Sequence, residues 1–124
     1  MGIDRVIRFP GGAAPEWPVI AERLGGVGQG TVVRMIDGLP AFPDEIPSPG
    51  WRELRVGLDA GMVTVRVTGP DIQCVVWGNA DAGLVRAWNL CCWAVAAAGG
   101  GVVVEGDGTK RTAEEFWTEV SSST

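Results

Sequence analysis

Histidine and tyrosine are absent from the chain of 124 residues. Without histidine there is no Ser-His or Cys-His nucleophile pair and no imidazole metal ligand. Nor is there a side chain that ordinarily titrates near neutrality. Cysteine is scarce: Cys74, Cys91 and Cys92 include two neighbours in sequence and no pair at zinc-ligand spacing. A disulfide framework and a metal centre are therefore not expected. Reduced, buried thiols are, as in a cytoplasmic protein. Positive charge is in deficit, with a formal net charge of −5. That excludes the basic footprint of a nucleic-acid binder, while leaving solubility or a basic partner as readings of the acidity. No apolar run reaches the ~20 residues that a membrane span needs. The opening MGIDRVIRFP has no apolar core of a signal peptide. Gly2 lacks the myristoylation pattern, which asks for Ser or Thr where Val6 stands.

What is present suits one globular domain over residues 1–120, followed by a flexible tail over 121–124. The 46% hydrophobic and 20% charged content is enough for a genuine core. The stretch 81–98 reads as the one long helix, with Asp81 as N-cap and Gly99-Gly100 as the stop. Leu84, Trp88, Cys91 and Val95 fall on one stripe, widened by Val85, Cys92 and Ala96. The other side carries Arg86, Asn89, Leu90, Trp93 and Ala97. It is too apolar to lie open, so either another element of the domain, or a partner or second copy, is expected to cover Trp93.

Strands are expected at 3–9, 31–37, 51–58, 62–68, 72–77 and 101–105. Alternation points Ile7, Phe9, Leu54, Val56, Leu58, Val63, Val65, Val67, Ile72, Cys74 and Val76 inward. In the second strand it places Val33 and Met35 on one face and Val32, Arg34 and Ile36 on the other. A short helix over 15–24 presents Trp17, Ile20 and Leu24, and Thr112 to Glu115 form a capping box for a last helix. The fold class is α+β, an antiparallel-rich sheet of five or six strands with helices packed on one face.

Two stretches invite functional readings. GGVGQG at 25–30 has the glycines of a phosphate loop but lacks Gly-Lys-Ser/Thr and leads into a strand, so a turn is expected. Residues 37–50 hold Pro40, Pro43, Pro47 and Pro49, which rule out a helix or a central strand. This is a surface loop, anchored by Phe42 and Ile46, that is either functional or a cover for a sheet edge. Asp37, Asp44 and Glu45 gather there. Paired carboxylates serve glycoside hydrolysis or Mg²⁺, but acids beside prolines are ordinarily turn formers, so no catalytic residue is assigned.

The outward strand positions place Arg8, Arg34, Arg55 and Arg66 on one surface with Gln73, Thr64, Thr68 and Trp77. Such a face binds carboxylate or phosphate, or is an ordinary solvated sheet face with Glu53 and Asp4 as ion partners. The residues expected to meet a partner are Arg8, Arg34, Arg55, Arg66, Trp77, Phe42 and Trp93. The segment AAAGGGVVVEGDGTKRTAEEFW, residues 96–117, is similar to the tails of small bacterial proteins, some of them immunity proteins of toxin systems. That resemblance implies stoichiometric protein binding. The expectation is thus a cytoplasmic, non-enzymatic interaction domain without a cofactor, binding another protein or a second copy of itself. The alternatives are an anion- or nucleotide-binding domain and a subunit of a larger assembly.

Overall fold

The computed structural model describes residues 3–78 and 81–122. Its frame is an antiparallel meander. Strand β4 (Glu53–Leu58) turns through Asp59 and Ala60 into β5 (Gly61–Thr68), which turns at Gly69 into β6 (Asp71–Val76). Alternating apolar residues dictate which face is covered. Leu54, Val56, Val63, Val65, Ile72 and Cys74 are wholly buried, and Leu58 and Val76 nearly so. Strand β1 (Ile3–Arg8) pairs with β6, and β7 (Val102–Val104) pairs with β1. On the far side, β2 (Val32–Ile36) pairs with β4.

The sheet has eight strands, in the order β3-β2-β4-β5-β6-β1-β7-β8, rather than five or six. The two additions are its edges. β3 (Leu39–Pro40) and β8 (Lys110–Thr112) are too short to show periodicity. β3 exists because Asp37 and Gly38 both take positive φ, 51° and 84°, and close a two-residue hairpin with Ile36 opposite Leu39.

Helix α2 (Ala82–Gly99) lies across the inner face of β5, β6, β1 and β7. Asp81 Oδ1 accepts the Leu84 amide at 2.8 Å, and Gly100 ends the helix at φ 64°. Asn79 and Ala80, just before this cap, lie outside the described residues. Trp88, Cys91, Cys92, Val95 and Ala96 are buried as the stripe predicts. The Trp88 indole also donates to the Cys74 carbonyl at 2.9 Å, tying helix to sheet. The apolar far side of α2 is covered from within the chain. Helix α1 (Trp17–Gly26) packs along it with Trp17, Ile20 and Leu24 buried. On the other flank lies α3 (Ala113–Ser122), whose Trp117 meets Trp93 at 4.7 Å between ring centroids. The capping box is reciprocal: Thr112 N donates to Glu115 Oε1 and Glu115 N to Thr112 Oγ1. α3 continues through Ser121 and Ser122, which the sequence reading assigned to the tail.

Three details depart from simple alternation. In β2 the register slips between Val33 and Met35, a bulge that leaves Arg34 without an opposite residue. Ile36 therefore joins Val33 on the core side, while Met35 pairs with Arg55 on the other. In β1, Arg5 points inward with Ile7. Its guanidinium lies 3.7 Å from the Trp88 ring centroid and 5.0 Å from that of Phe116. It bonds Glu105 at 2.7 Å and Asn89 at 2.6 Å, so the charge is satisfied beneath the helices. Finally, Phe42 and Ile46 do not anchor the proline-rich loop: they stand 75% and 71% exposed. Pro47 and Trp51 are buried and Ala41 packs on the core, so the loop is held by its small residues and its end.

Candidate protein-binding face

The three helices all serve one side of the sheet, leaving the outer side of the central strands without a helix. Pairing register puts residues from neighbouring strands into rows there. One row is Glu53, Arg66, Gln73 and Val6, across β4, β5, β6 and β1. Arg66 meets Glu53 Oε1 with two nitrogens at 2.8 and 2.9 Å, and its third reaches Gln73 at 3.5 Å. Gln73 in turn donates to Asp4 at 2.6 Å. Arg8 faces Asp71 at 3.7 Å. These two guanidinium groups are therefore held by the chain's own carboxylates, as a solvated sheet face commonly arranges.

The adjacent row is Met35, Arg55, Thr64 and Val75, and beyond it lie Val32, Gly57 and Met62. Arg34 drapes over Gly57, with Nε 3.6 Å from the place where a β-carbon would sit. Among the described residues, neither Arg34 nor Arg55 has a carboxylate within ion-pair distance. Trp77 follows β6 and folds back so that its indole N–H donates to Thr64 Oγ1 at 3.2 Å. This closes over Thr64, which is 3% exposed, yet leaves the tryptophan itself 54% exposed. Met62, beside it, is 47% exposed.

Together Arg55, Met62, Thr64 and Trp77 line a cleft of about 550 Å³, bounded by the β4–β5 turn and the start of α2. Gly61 and Leu84 also line it, in contact so close that a β-carbon at Gly61 would fall 2.6 Å from Leu84 Cδ1. Asp81 also lines it, with one carboxylate oxygen committed to capping α2.

The predicted partner-binding residues thus divide. Arg8, Arg34, Arg55, Arg66 and Trp77 share the outer face. Phe42 projects from the loop beyond the β3 edge, together with Leu39 and Ile46. Its turn is held by the Phe42 amide donating to Glu45 Oε1 at 3.1 Å and the Glu45 amide to the Phe42 carbonyl. Trp93 lies on the opposite side of the molecule, in the helix layer. It lines two shallow grooves with Arg23 of α1 and Val27 just after that helix, and Trp117 of α3 borders one of them. Met62 and Met35 were not selected from sequence: one is the second residue of β5 and the other is turned outward only by the bulge.

The acids near the loop are occupied by the backbone. Asp37 Oδ1 accepts the amides of Arg52 at 2.7 Å and Glu53 at 2.9 Å, pinning the two ends of the loop. The Glu53 amide, then that of Arg52, holds the Asp37 carboxyl below its usual range. Of the glycine-rich 25–30 stretch, Gly25 and Gly26 are the last residues of α1, Val27 and Gly28 form a turn, and Gln29 exchanges hydrogen bonds with Asp59 on the β4–β5 turn. Among the described residues no group of three or more Cys, Asp or Glu side chains is placed to hold a metal ion, and no helix is long and apolar enough to cross a membrane. No protein-family model, curated protein or solved structure matches the chain.

Proposed function

We propose that the chain is a non-enzymatic protein-interaction domain that docks a partner on the outer sheet face, with the proline-rich loop at its margin. The observation that carries this reading is the composition of that face. Arg55, which has no carboxylate within ion-pair distance among the described residues, shares a cleft with a half-exposed tryptophan that bonds Thr64, and Arg34, likewise unpaired there, lies over Gly57 on the same face. Arginine and tryptophan supply much of the energy at protein interfaces, and a pinned ring loses little entropy on binding. Strand β3 and the loop after it add three large apolar side chains, Leu39, Phe42 and Ile46, each at least 70% exposed, with Phe42 on a hydrogen-bonded turn. The missing histidine and the structural employment of Asp37, Glu45 and Glu105 count against acid–base catalysis.

A second reading, a small anion- or nucleotide-binding domain, draws on the same cleft, because it encloses Arg55 and an indole within about 550 Å³. Affinity capture from the producing cell tests the first. Arg55→Glu with Trp77→Ala is expected to lose the partner that the wild type retains, whereas Val19→Glu on α1 keeps it. Retention by the sheet-face variant would sink the proposal. Stabilisation by a nucleotide in a thermal-shift screen would favour the second reading.

A further inference from the structure

Resting on the sheet-face reading above, we infer that the partner enters the cleft with an acidic, apolar segment, whose aromatic or aliphatic side chain lies on Trp77 and Met62 and whose carboxylates reach Arg55 and Arg34. Three observations converge on that chemistry. The first is charge. The chain is acidic overall, and four arginines, Arg5, Arg8, Arg66 and Arg111, have a carboxylate within 4 Å. Among the described residues Arg23, Arg34, Arg52, Arg55 and Arg86 have none, and of these Arg34 and Arg55 occupy neighbouring outward sites on the sheet face: Arg55 on β4, and Arg34 on β2, laid over Gly57. Two guanidinium groups on neighbouring strands of one face, neither in an ion pair among the described residues, fit the carboxylates of an incoming segment. A second copy of this face would bring arginine against arginine, so self-association through it is disfavoured.

The second observation is the tryptophan. Its only donor is already used by Thr64. What it offers a ligand is therefore ring surface, and Met62 extends that surface with a polarisable thioether. An all-acidic segment would leave this area uncovered, and an all-apolar one would leave the Arg55 guanidinium in the cleft without a partner.

The third is Asp81, whose carboxylate also lines the cleft. It sets the orientation, because the segment's carboxylates belong at Arg55, away from Asp81, with the apolar side chain over Trp77 and Met62.

The test uses the full chain and three probes: capped Glu-Leu-Phe-Glu, capped Gln-Leu-Phe-Gln, and free 3-phenylpropionate. Binding is followed through the indole signal of Trp77 and the Nε–H signals of Arg34 and Arg55 in ¹H–¹⁵N spectra. The acidic peptide is expected to shift all three saturably and to bind about fivefold or more tightly than its amide counterpart. Arg55→Gln is expected to bring the two peptides to within about twofold, and Arg8→Gln to leave the preference intact, because Arg8 already faces Asp71. Equal affinity of the two peptides with Trp77 still shifting would overturn the carboxylate contact while leaving the sheet face as the docking surface. Shifts confined to Trp93 and Trp117 would overturn both. Tighter binding of phenylpropionate than of the acidic peptide would overturn the peptide as occupant and make the cleft a small-molecule site.

Discussion

Asp37 stands at the corner where β2 turns into β3, at φ 51°, a conformation that an L-residue without local hydrogen bonding avoids. It is held there by its own chemistry, since one carboxylate oxygen gathers the amides of Arg52 and Glu53 at the loop's other end. Replacement by alanine removes both acceptors and keeps the unfavourable backbone, so Asp37→Ala is expected to cost about 1–2 kcal/mol. Asparagine keeps one acceptor oxygen and tolerates the left-handed region, so Asp37→Asn is expected to cost less, and urea midpoints give the order. The pH dependence follows from the direction of the shift. The folded carboxyl lies below its ordinary value of 3.8 because the Glu53 and Arg52 amides favour its charged form. Its contribution is therefore complete above that pH and is lost as pH falls through the lower folded value. The stability gap between wild type and Asp37→Ala should accordingly narrow in acid and stay constant around neutrality. An Asp-Gly pair after an apolar run is a hairpin signal, and the four prolines that follow mask it in the sequence. Arg5 shows a second limit of reading single residues. Its parity with Ile7 and Phe9 sends it inward, but only the assembled fold shows that Glu105, Asn89 and Trp88 are waiting for it.

At the scale of elements, the junction of α2 with β7 is fixed by three glycines doing different work. At Gly99 a β-carbon would come within 2.6 Å of Phe9 and 2.7 Å of Pro15. At Gly101 it would lie 2.9 Å from the Arg8 carbonyl, a backbone atom of a paired strand that cannot move aside cheaply. Gly100 has open space but φ 64°. Gly101→Ala is therefore expected to destabilise by about 1–3 kcal/mol through overpacking, and Gly100→Ala by about 1 kcal/mol through its backbone. Gly106→Ala, with nothing nearby and no positive φ, should stay within about 0.5 kcal/mol of wild type in chemical denaturation. The sequence shows the GGG but not this division of labour. The meander was legible because alternation and turn residues agree over three successive strands. The slip in β2 was not, since a bulge leaves the residues unchanged and alters only what they oppose. It exchanged the faces of Met35 and Ile36, and so supplied part of the outer row beside Arg55. The loop anchors were misread for a related reason. Large apolar side chains are the natural choice for anchoring, yet Pro47 and Ala41 pack inward and leave Phe42 and Ile46 outside.

The whole molecule protects its two sheet edges. β3 has two residues, one of them Pro40, and β8 reads Lys-Arg-Thr; short strands, proline and charge all discourage addition of a foreign strand. Strand addition at either edge is thereby discouraged, whereas the outer sheet face presents side chains and no helix covers it. Both that face and the core behind it depend on one cooperative unit, because helices, meander and loop share a single cluster of buried residues. The three thiols report on it. Cys74 lies on β6, and Cys91 and Cys92 lie on α2, all without measurable exposure. Hydrogen bonding to Cys91 and Cys92 and burial push the Cys74 thiol well above its ordinary value, so the reactive thiolate is suppressed until the structure opens. Because these residues come from the central strands and the helix laid over them, no local fraying of an edge exposes them. Labelling by iodoacetamide is therefore expected to be negligible in the folded state. Across a urea series, all three cysteines should become reactive at the midpoint reported by tryptophan fluorescence. Modification of Cys91 or Cys92 at clearly lower urea than the fluorescence change would mean that α2 leaves the sheet before the meander unfolds. The outer face would then persist without its helices, and the single-unit description would fail.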